Sequence, residues 1–226
     1  MTTPEHQLFD QLVGPAWAGA EPIRASAPAS EVSASRYRVR GLTEYGEPKV
    51  RRSHADPEVV FEEPGDEPAG HYTAVRGDGP DCLAVGCYRA ATSGIGLAFV
   101  AVTDSRLAVL QLRDSSVEPM PDAGRLLKEG GGLLRTMGRL VKGFVREVSA
   151  LNSIADRPES AVVEPAWEVP RHALSAATRW KKPLIPELRG GERNVQLTFT
   201  DGSFARLCTD EAGLASLAAL GGAPRG

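Results

Sequence analysis

The sequence predicts an α+β domain that is mainly β: a seven-stranded sandwich or partly open barrel, capped by a C-terminal helix and carrying a helical insertion between strands 3 and 4. Two stretches, Leu97–Leu112 and Val195–Cys208, carry strand patterns that fold back on tight polar turns, the signature of paired strands. Asp210–Leu220 then switches to helical spacing of its leucines. The chain also carries 24 glycines and 17 prolines among 226 residues. That share is well above the usual ~12% and demands many turns.

In chain order, residues 4–13 read as a brief helix. Pro4 suits its first turn, Leu8, Phe9, Leu12 and Val13 share one face, and Gly14-Pro15 is expected to stop it. Ala16 to about Ser35 is rich in Ala, Pro and Ser without a sustained period, and is expected to be linker. Arg36–Arg40 alternates in the manner of an exposed edge strand, where charge discourages unwanted pairing. Between Asp56 and Pro68 stand Glu58, Glu62, Glu63, Asp66 and Glu67 with no base and repeated prolines. Such a segment buries too little apolar surface to fold alone. Residues 1–70 are therefore expected to form a largely irregular arm, and 71–222 the β-domain.

From His71 the expected strands are Asp81–Arg89, Leu97–Thr103, Arg106–Leu112, Val162–Val169, Leu174–Trp180, Asn194–Thr200 and Ser203–Cys208. A turn over Thr103–Arg106 pairs Val102 with Leu107, Val100 with Val109 and Phe99 with Leu110. Both faces of that hairpin are apolar, so it should be central and covered. For the last hairpin, a two-residue type I′ turn at Asp201-Gly202 sets Phe199 opposite Phe204, Leu197 opposite Arg206 and Val195 opposite Cys208. This register sorts apolar from polar with two exceptions, Arg206 on the apolar face and Leu207 on the polar one. The final helix has Asp210 and Glu211 at its positive end, a stripe of Leu214, Leu217 and Leu220, and Gly221-Gly222 as its stop.

The run Thr-Asp-Ser-Arg-Leu-Ala-Val-Leu from Thr103, then Trp167-Glu168-Val169-Pro170-Arg171, then Leu197–Ser203, then a helix, resembles bacterial pleckstrin-homology-like domains, a superfamily that includes GRAM-type domains. The resemblance covers about Asp81–Leu112 and Val162–Leu220. It implies seven strands in two sheets with one capping helix, and the binding of lipid head groups, peptides or protein partners. It does not imply a particular ligand, because a widely shared fold does not fix function. The long segment between the third and fourth strands departs from the superfamily, where a short loop is usual.

That insertion, about residues 120–158, holds the sharpest helical pattern in the chain. Leu133, Met137, Leu140, Val141, Phe144, Val148 and Leu151 fall on one side of a helix over Gly130–Leu151. Arg135, Arg139, Lys142 and Arg146 form a stripe on the other. Such a helix packs on its own domain with a solvated basic face, or lies on a partner or an anionic membrane, where each base is worth about 1 kcal/mol. Trp180, Lys181 and Lys182, followed by Pro183-Leu184-Ile185, form a second candidate surface, or Trp180 ends a strand in the core. The candidate partner- or lipid-binding residues are thus Arg135, Met137, Arg139, Lys142, Phe144, Arg146, Trp180, Lys181 and Lys182.

Reactive constellations are not legible. Gly94-Ile95-Gly96 begins like a dinucleotide fingerprint, but Phe99 stands where the third glycine belongs and a strand follows. His6, His54, His71 and His172 are scattered, and Cys82, Cys87 and Cys208 have no metal-ligand spacing. Arg76-Gly77-Asp78 reads as a turn. No catalytic residue, metal or cofactor is expected. A net charge of −3 gives no global attraction to nucleic acid, and none is expected as a partner. Reduced thiols, no signal-peptide pattern and no apolar run of membrane-spanning length suggest a cytoplasmic protein, with the inner face of the cell membrane as a second location. Arg outnumbers Lys 21 to 5, in keeping with GC-rich bacterial coding. The expected function is a non-catalytic interaction module that binds a protein partner or self-associates. The alternative is a peripheral membrane module using the basic helix.

Overall fold

Two antiparallel-rich sheets face each other across a shared core. The structure, a computed structural model, describes residues 14–32, 35–49, 72–93, 97–114, 161–180 and 193–221. Among these lie nine strands: β1 (Ala25–Ala29), β2 (Ser35–Val39), β3 (Tyr72–Gly77), β4 (Leu97–Val102), β5 (Arg106–Asp114), β6 (Ala161–Pro170), β7 (Leu174–Trp180), β8 (Arg193–Phe199) and β9 (Phe204–Thr209). Three α-helices accompany them: α1 (Gly14–Ala18), α2 (Leu83–Thr92) and α3 (Glu211–Gly221). One sheet has the order β1-β4-β5-β6 and the other β2-β3-β9-β8-β7. Paired backbone bonds between Ser30 and Cys208 tie the exit of β1 to β9 and join the sheets at one corner.

The main core lies between the sheets. It gathers Val100, Val102, Leu107 and Val109 from one and Val195, Leu197, Phe199, Ala205 and Leu207 from the other. Ala84, Val85, Cys87 and Tyr88 of α2 and Leu214 and Leu217 of α3 complete it. A smaller cluster, Phe99, Ala101, Ala108, Leu110 and Leu112, occupies the far face of the four-stranded sheet, with Trp17 and Ile23 packed on it. β4 and β5 are therefore apolar on both faces and central, in the register Val102↔Leu107, Val100↔Val109 and Phe99↔Leu110 that the sequence predicts. Their turn is held by the N-terminal segment. Glu21 accepts bonds from the Ser105 amide and hydroxyl at 2.7 and 3.0 Å, Arg24 pairs with Asp104 at 2.6 Å, and the Trp17 indole donates to Glu168 at 2.8 Å.

β2 is an edge strand, as its charge pattern predicts, and it pairs with β3 in parallel. The terminal helix forms over Glu211–Gly221 and places Leu214 and Leu217 in the core, matching the expected leucine stripe. No helix among the described residues is long and apolar enough to cross a membrane.

Four sequence expectations are corrected. Asp81–Arg89 is not a strand; its core is α2, whose buried side chains Ala84, Val85, Cys87, Tyr88, Ala90 and Ala91 face β-strands on several sides. A helix enclosed this way lacks a polar face, so its periodicity cannot be told from a short buried strand. The segment expected as linker contains β1, an edge strand of small residues pairing with β4 from Ala25↔Val102 to Ala29↔Ala98. Arg76 and Gly77, expected in a turn, instead end β3, and only Asp78 lies beyond it.

The fourth correction concerns the last hairpin. Its antiparallel pairing stands, but the loop has three residues: the Phe199 amide donates to Ser203 O, Gly202 N donates to Phe199 O, and Gly202 takes φ +80°. This is the three-residue connection with a left-handed glycine, which shifts the partner strand by one residue relative to a two-residue turn. The observed pairs are Thr198↔Phe204, Leu197↔Ala205, Gln196↔Arg206 and Val195↔Leu207. The helices expected at residues 4–13 and in the insertion, the acidic stretch 56–68 and Gly94–Gly96 lie outside the described residues.

Candidate functional site

The shifted register turns Phe204 and Arg206 to the outer face of the five-stranded sheet, because Ala205 and Leu207 now point into the core. There the Arg206 guanidinium lies 4.3 Å from the centroid of the Trp180 ring and 4.7 Å from that of Phe204. Its Nε donates to Gln196 Oε1 at 3.0 Å and Nη1 to the Thr73 carbonyl at 2.9 Å. Tyr72 meets Trp180 edge-on, with centroids 5.8 Å apart. Arginine held between two ring faces gains cation–π attraction of about 0.5–2 kcal/mol per contact, depending on desolvation. The result is an aromatic–arginine stack that spans β7 to β9.

Phe204 also borders a cleft of about 280 Å³, lined with it by Arg76, Gly77, Asp78, Asp201 and Gly202. The cleft lies where β3 ends, at the tip of the β8–β9 hairpin. Its wall is fixed by an unusual helix cap. Cys82, the N-cap residue of α2, makes no side-chain cap bond. Instead the hairpin supplies the acceptors: Leu83 N donates to Asp201 Oδ2 at 2.8 Å and Ala84 N to Ser203 Oγ at 3.1 Å. The Ser203 amide and hydroxyl in turn donate to Asp201 Oδ1 at 2.9 and 2.6 Å. Two of the orphan amides that every helix start exposes are thereby satisfied from a distant loop.

Partial burial pushes the Asp201 carboxyl up, but the bonds from Ser203 and from the Leu83 amide outweigh it, so its pKa falls below the ordinary 3.8. A lowered folded-state pKa means stability that is present above 3.8 and is lost as pH falls through the folded value. Asp201→Ala should therefore cost about 1–2 kcal/mol, the range for lost N-caps. Asp201→Asn should flatten the melting temperature against pH between 4 and 2, which thermal scans by circular dichroism across that range will read.

Cys87 is fully enclosed and burial pushes its thiol up to about 12, so it stays protonated and inert. All three cysteines are free thiols. Among the described residues no group of three or more His, Cys, Asp or Glu side chains is placed to hold a metal ion. What the face offers is contact area, guanidinium charge and a small recess.

Of the residues that the sequence singled out, Trp180 belongs to this face. It ends β7, half-buried, against Arg206 and Tyr72, and stands outside both core clusters. Arg135, Met137, Arg139, Lys142, Phe144, Arg146, Lys181 and Lys182 lie outside the described residues. Sequence reasoning missed Phe204, Arg206, Arg76 and Asp201. One signal was present: Arg206 was the sole charged intruder on an otherwise apolar face in the two-residue register. No protein-family model matches this chain, and no curated protein or solved structure matches it.

Proposed function

We propose that the protein is a non-catalytic interaction module that docks a protein partner on the outer face of its five-stranded sheet. The observation that carries this reading is the stack of Trp180, Arg206 and Phe204, with Phe204 shared by the adjoining cleft. Tryptophan and arginine dominate the energetics of protein interfaces, where pre-positioned rings lose little entropy on binding. At about 280 Å³ the cleft stands at the lower end of the ~300–1,000 Å³ that small-molecule sites occupy. It is the size for one or two side chains of a partner. Two sheets on one core with a terminal helix are compatible with the pleckstrin-homology-like reading, to which the parallel β2–β3 pair and the enclosed α2 would be additions.

Site-specific photo-crosslinking in the producing cells tests this. A benzophenone side chain replacing exposed Thr178, whose register row contains Gln196 and Arg206, should yield a discrete protein adduct. The same probe at exposed Ala166 on β6, in the other sheet, should not. Arg206→Ala should suppress the Thr178 adduct. Equal labelling at both positions, or none at Thr178, would overturn the proposal.

A further inference from the structure

The described arginines differ in what their side chains hold. Arg24, Arg36, Arg106, Arg113, Arg179 and Arg193 each pair with a carboxylate: Asp104, Glu44, Glu21 with Glu168, Glu164, and Glu211 twice. Arg89, Arg171 and Arg206 donate to uncharged acceptors. Arg38, Arg40 and Arg76 are exposed, and their side chains hold no hydrogen bond or ion pair among the described residues. Arg38 and Arg76 are also neighbours. Arg38↔Arg76 is a register pair of β2 and β3, and the row continues through Phe204 on β9, Thr198 on β8 and Ala176 on β7. Strands lie about 4.8 Å apart, so two guanidinium groups begin side by side. Like charges directly opposite each other destabilise a ladder.

The strands across that surface add no acid. The outward positions on β7, β8 and β9 are Ala176, Thr178, Trp180, Gln196, Thr198, Phe204, Arg206 and Cys208, with buried Asn194 in the same row as Trp180, and none is a carboxylate. The chain as a whole has 29 Asp and Glu against 26 Lys and Arg. Carboxylates border the row at its ends, Asp78 and Asp201 in the cleft and Glu44 on Arg36, but Glu44 and Asp201 are already engaged, by Arg36 and by Ser203 and Leu83.

We propose that the Arg38–Arg76 row binds an acidic segment of the partner, whose carboxylates take the paired guanidinium forks while an apolar side chain next to them packs on Phe204. This inference rests on the docking face assigned above and adds the chemistry of what docks. Guanidinium groups engage carboxylates through two parallel N–H bonds, so adjacent arginines suit adjacent or alternate acids. Charge complementarity of this kind fixes partner choice and on-rate. Single-stranded nucleic acid is the other polyanion to weigh. It requires open aromatic faces for stacking, and here Arg206 already lies over the Trp180 and Phe204 rings.

The test is fluorescence anisotropy of the full chain with three labelled probes of about ten units: a Glu-rich peptide containing one Phe, its Gln counterpart, and an oligothymidine. The acidic peptide should bind and weaken as salt rises from about 50 to about 500 mM, because exposed charges are screened. Arg76→Gln should weaken it roughly three- to fivefold, as for one exposed charge contact. The double variant Arg38→Glu/Arg76→Glu should abolish it, with an unchanged melting temperature because both side chains are solvated. Arg113→Glu, on the other sheet, should leave it intact. Equal affinity for the Gln peptide, undiminished binding by the double variant, or tighter binding of oligothymidine would overturn the inference. If the Thr178 adduct persists in that case, the docking face stands and only the acidity of its partner falls.

Discussion

Phe199→Ala should destabilise the protein by about 3–5 kcal/mol, the range for deleting a fully buried aromatic side chain. At roughly 2–4 °C per kcal/mol for a chain of this size, the melting temperature should fall by about 6–20 °C. The residue is 1% exposed and belongs to β8 of the five-stranded sheet. Its ring meets Trp167 of β6, from the opposite sheet, at 5.8 Å and 80°. The pair therefore bridges the two layers, and removing one ring leaves a cavity that neither sheet can close without moving as a whole. The backbone of Phe199 also brackets the three-residue loop, donating to Ser203 and accepting from Gly202. Phe199→Leu keeps most of the volume and should cost less than about 1.5 kcal/mol. Denaturant melts of both variants separate the two effects. A loss under about 1 kcal/mol for the alanine variant would show that the ring is not held between the sheets.

That residue also shows what an apolar pattern can and cannot specify. Phe199, Leu197 and Val195 alternate on one strand, and their burial is legible without knowing the partner's register. The register itself depends on whether the loop has two residues or three. Asp-Gly is compatible with a type I′ turn, and equally with a type I turn followed by a left-handed glycine. The discriminating signal was the pair of exceptions. Moving the strand by one residue sends Arg206 out and Leu207 in, so both misfits vanish together. The β4–β5 hairpin carried no such ambiguity because Thr103 closes its own turn, its amide donating to the Arg106 carbonyl at 2.9 Å and its hydroxyl accepting from the Arg106 amide at 3.0 Å.

Two elements were illegible for physical reasons. α2 takes its cap from Asp201 and Ser203, more than a hundred residues away, so the local residues that normally announce a helix start are missing. β1 reads Ala-Ser-Ala-Pro-Ala, a composition that strands avoid. It is a strand because β4 offers an edge and because the space above it is too thin for larger side chains. The site follows the same logic. Trp180 was visible as a large aromatic beside cations, whereas Arg38, Arg76 and Arg206 become one surface only through a parallel pair and a shifted hairpin that no local pattern encodes.

The thin space above β1 yields the second large effect. Gly213 in α3 faces Ala27 so closely that an added Cβ would stand 2.6 Å from the Ala27 Cβ and 2.9 Å from its backbone Cα. Helix propensity alone argues that Gly213→Ala stabilises by about 1 kcal/mol. The contact argues the reverse, since backbone cannot rotate away from a clash as a side-chain tip can. Overpacking of this kind costs about 1–3 kcal/mol, and the β-branched Gly213→Val should reach the upper end or exceed it. Relief requires α3 to lift or β1 to leave the β4 edge, and the Ser26 amide bond to the Ser216 hydroxyl at 3.2 Å breaks in either case. Hydrogen exchange should then accelerate at the β1 amides while β4–β5 protection persists, and trypsin should cut faster after Arg24. Ala219→Gly, on the exposed side of the same helix, should cost about 1 kcal/mol by propensity without loosening β1. A Gly213→Val protein as stable as the parent, with unchanged exchange at β1, would mean that helix and strand are not in contact at this point.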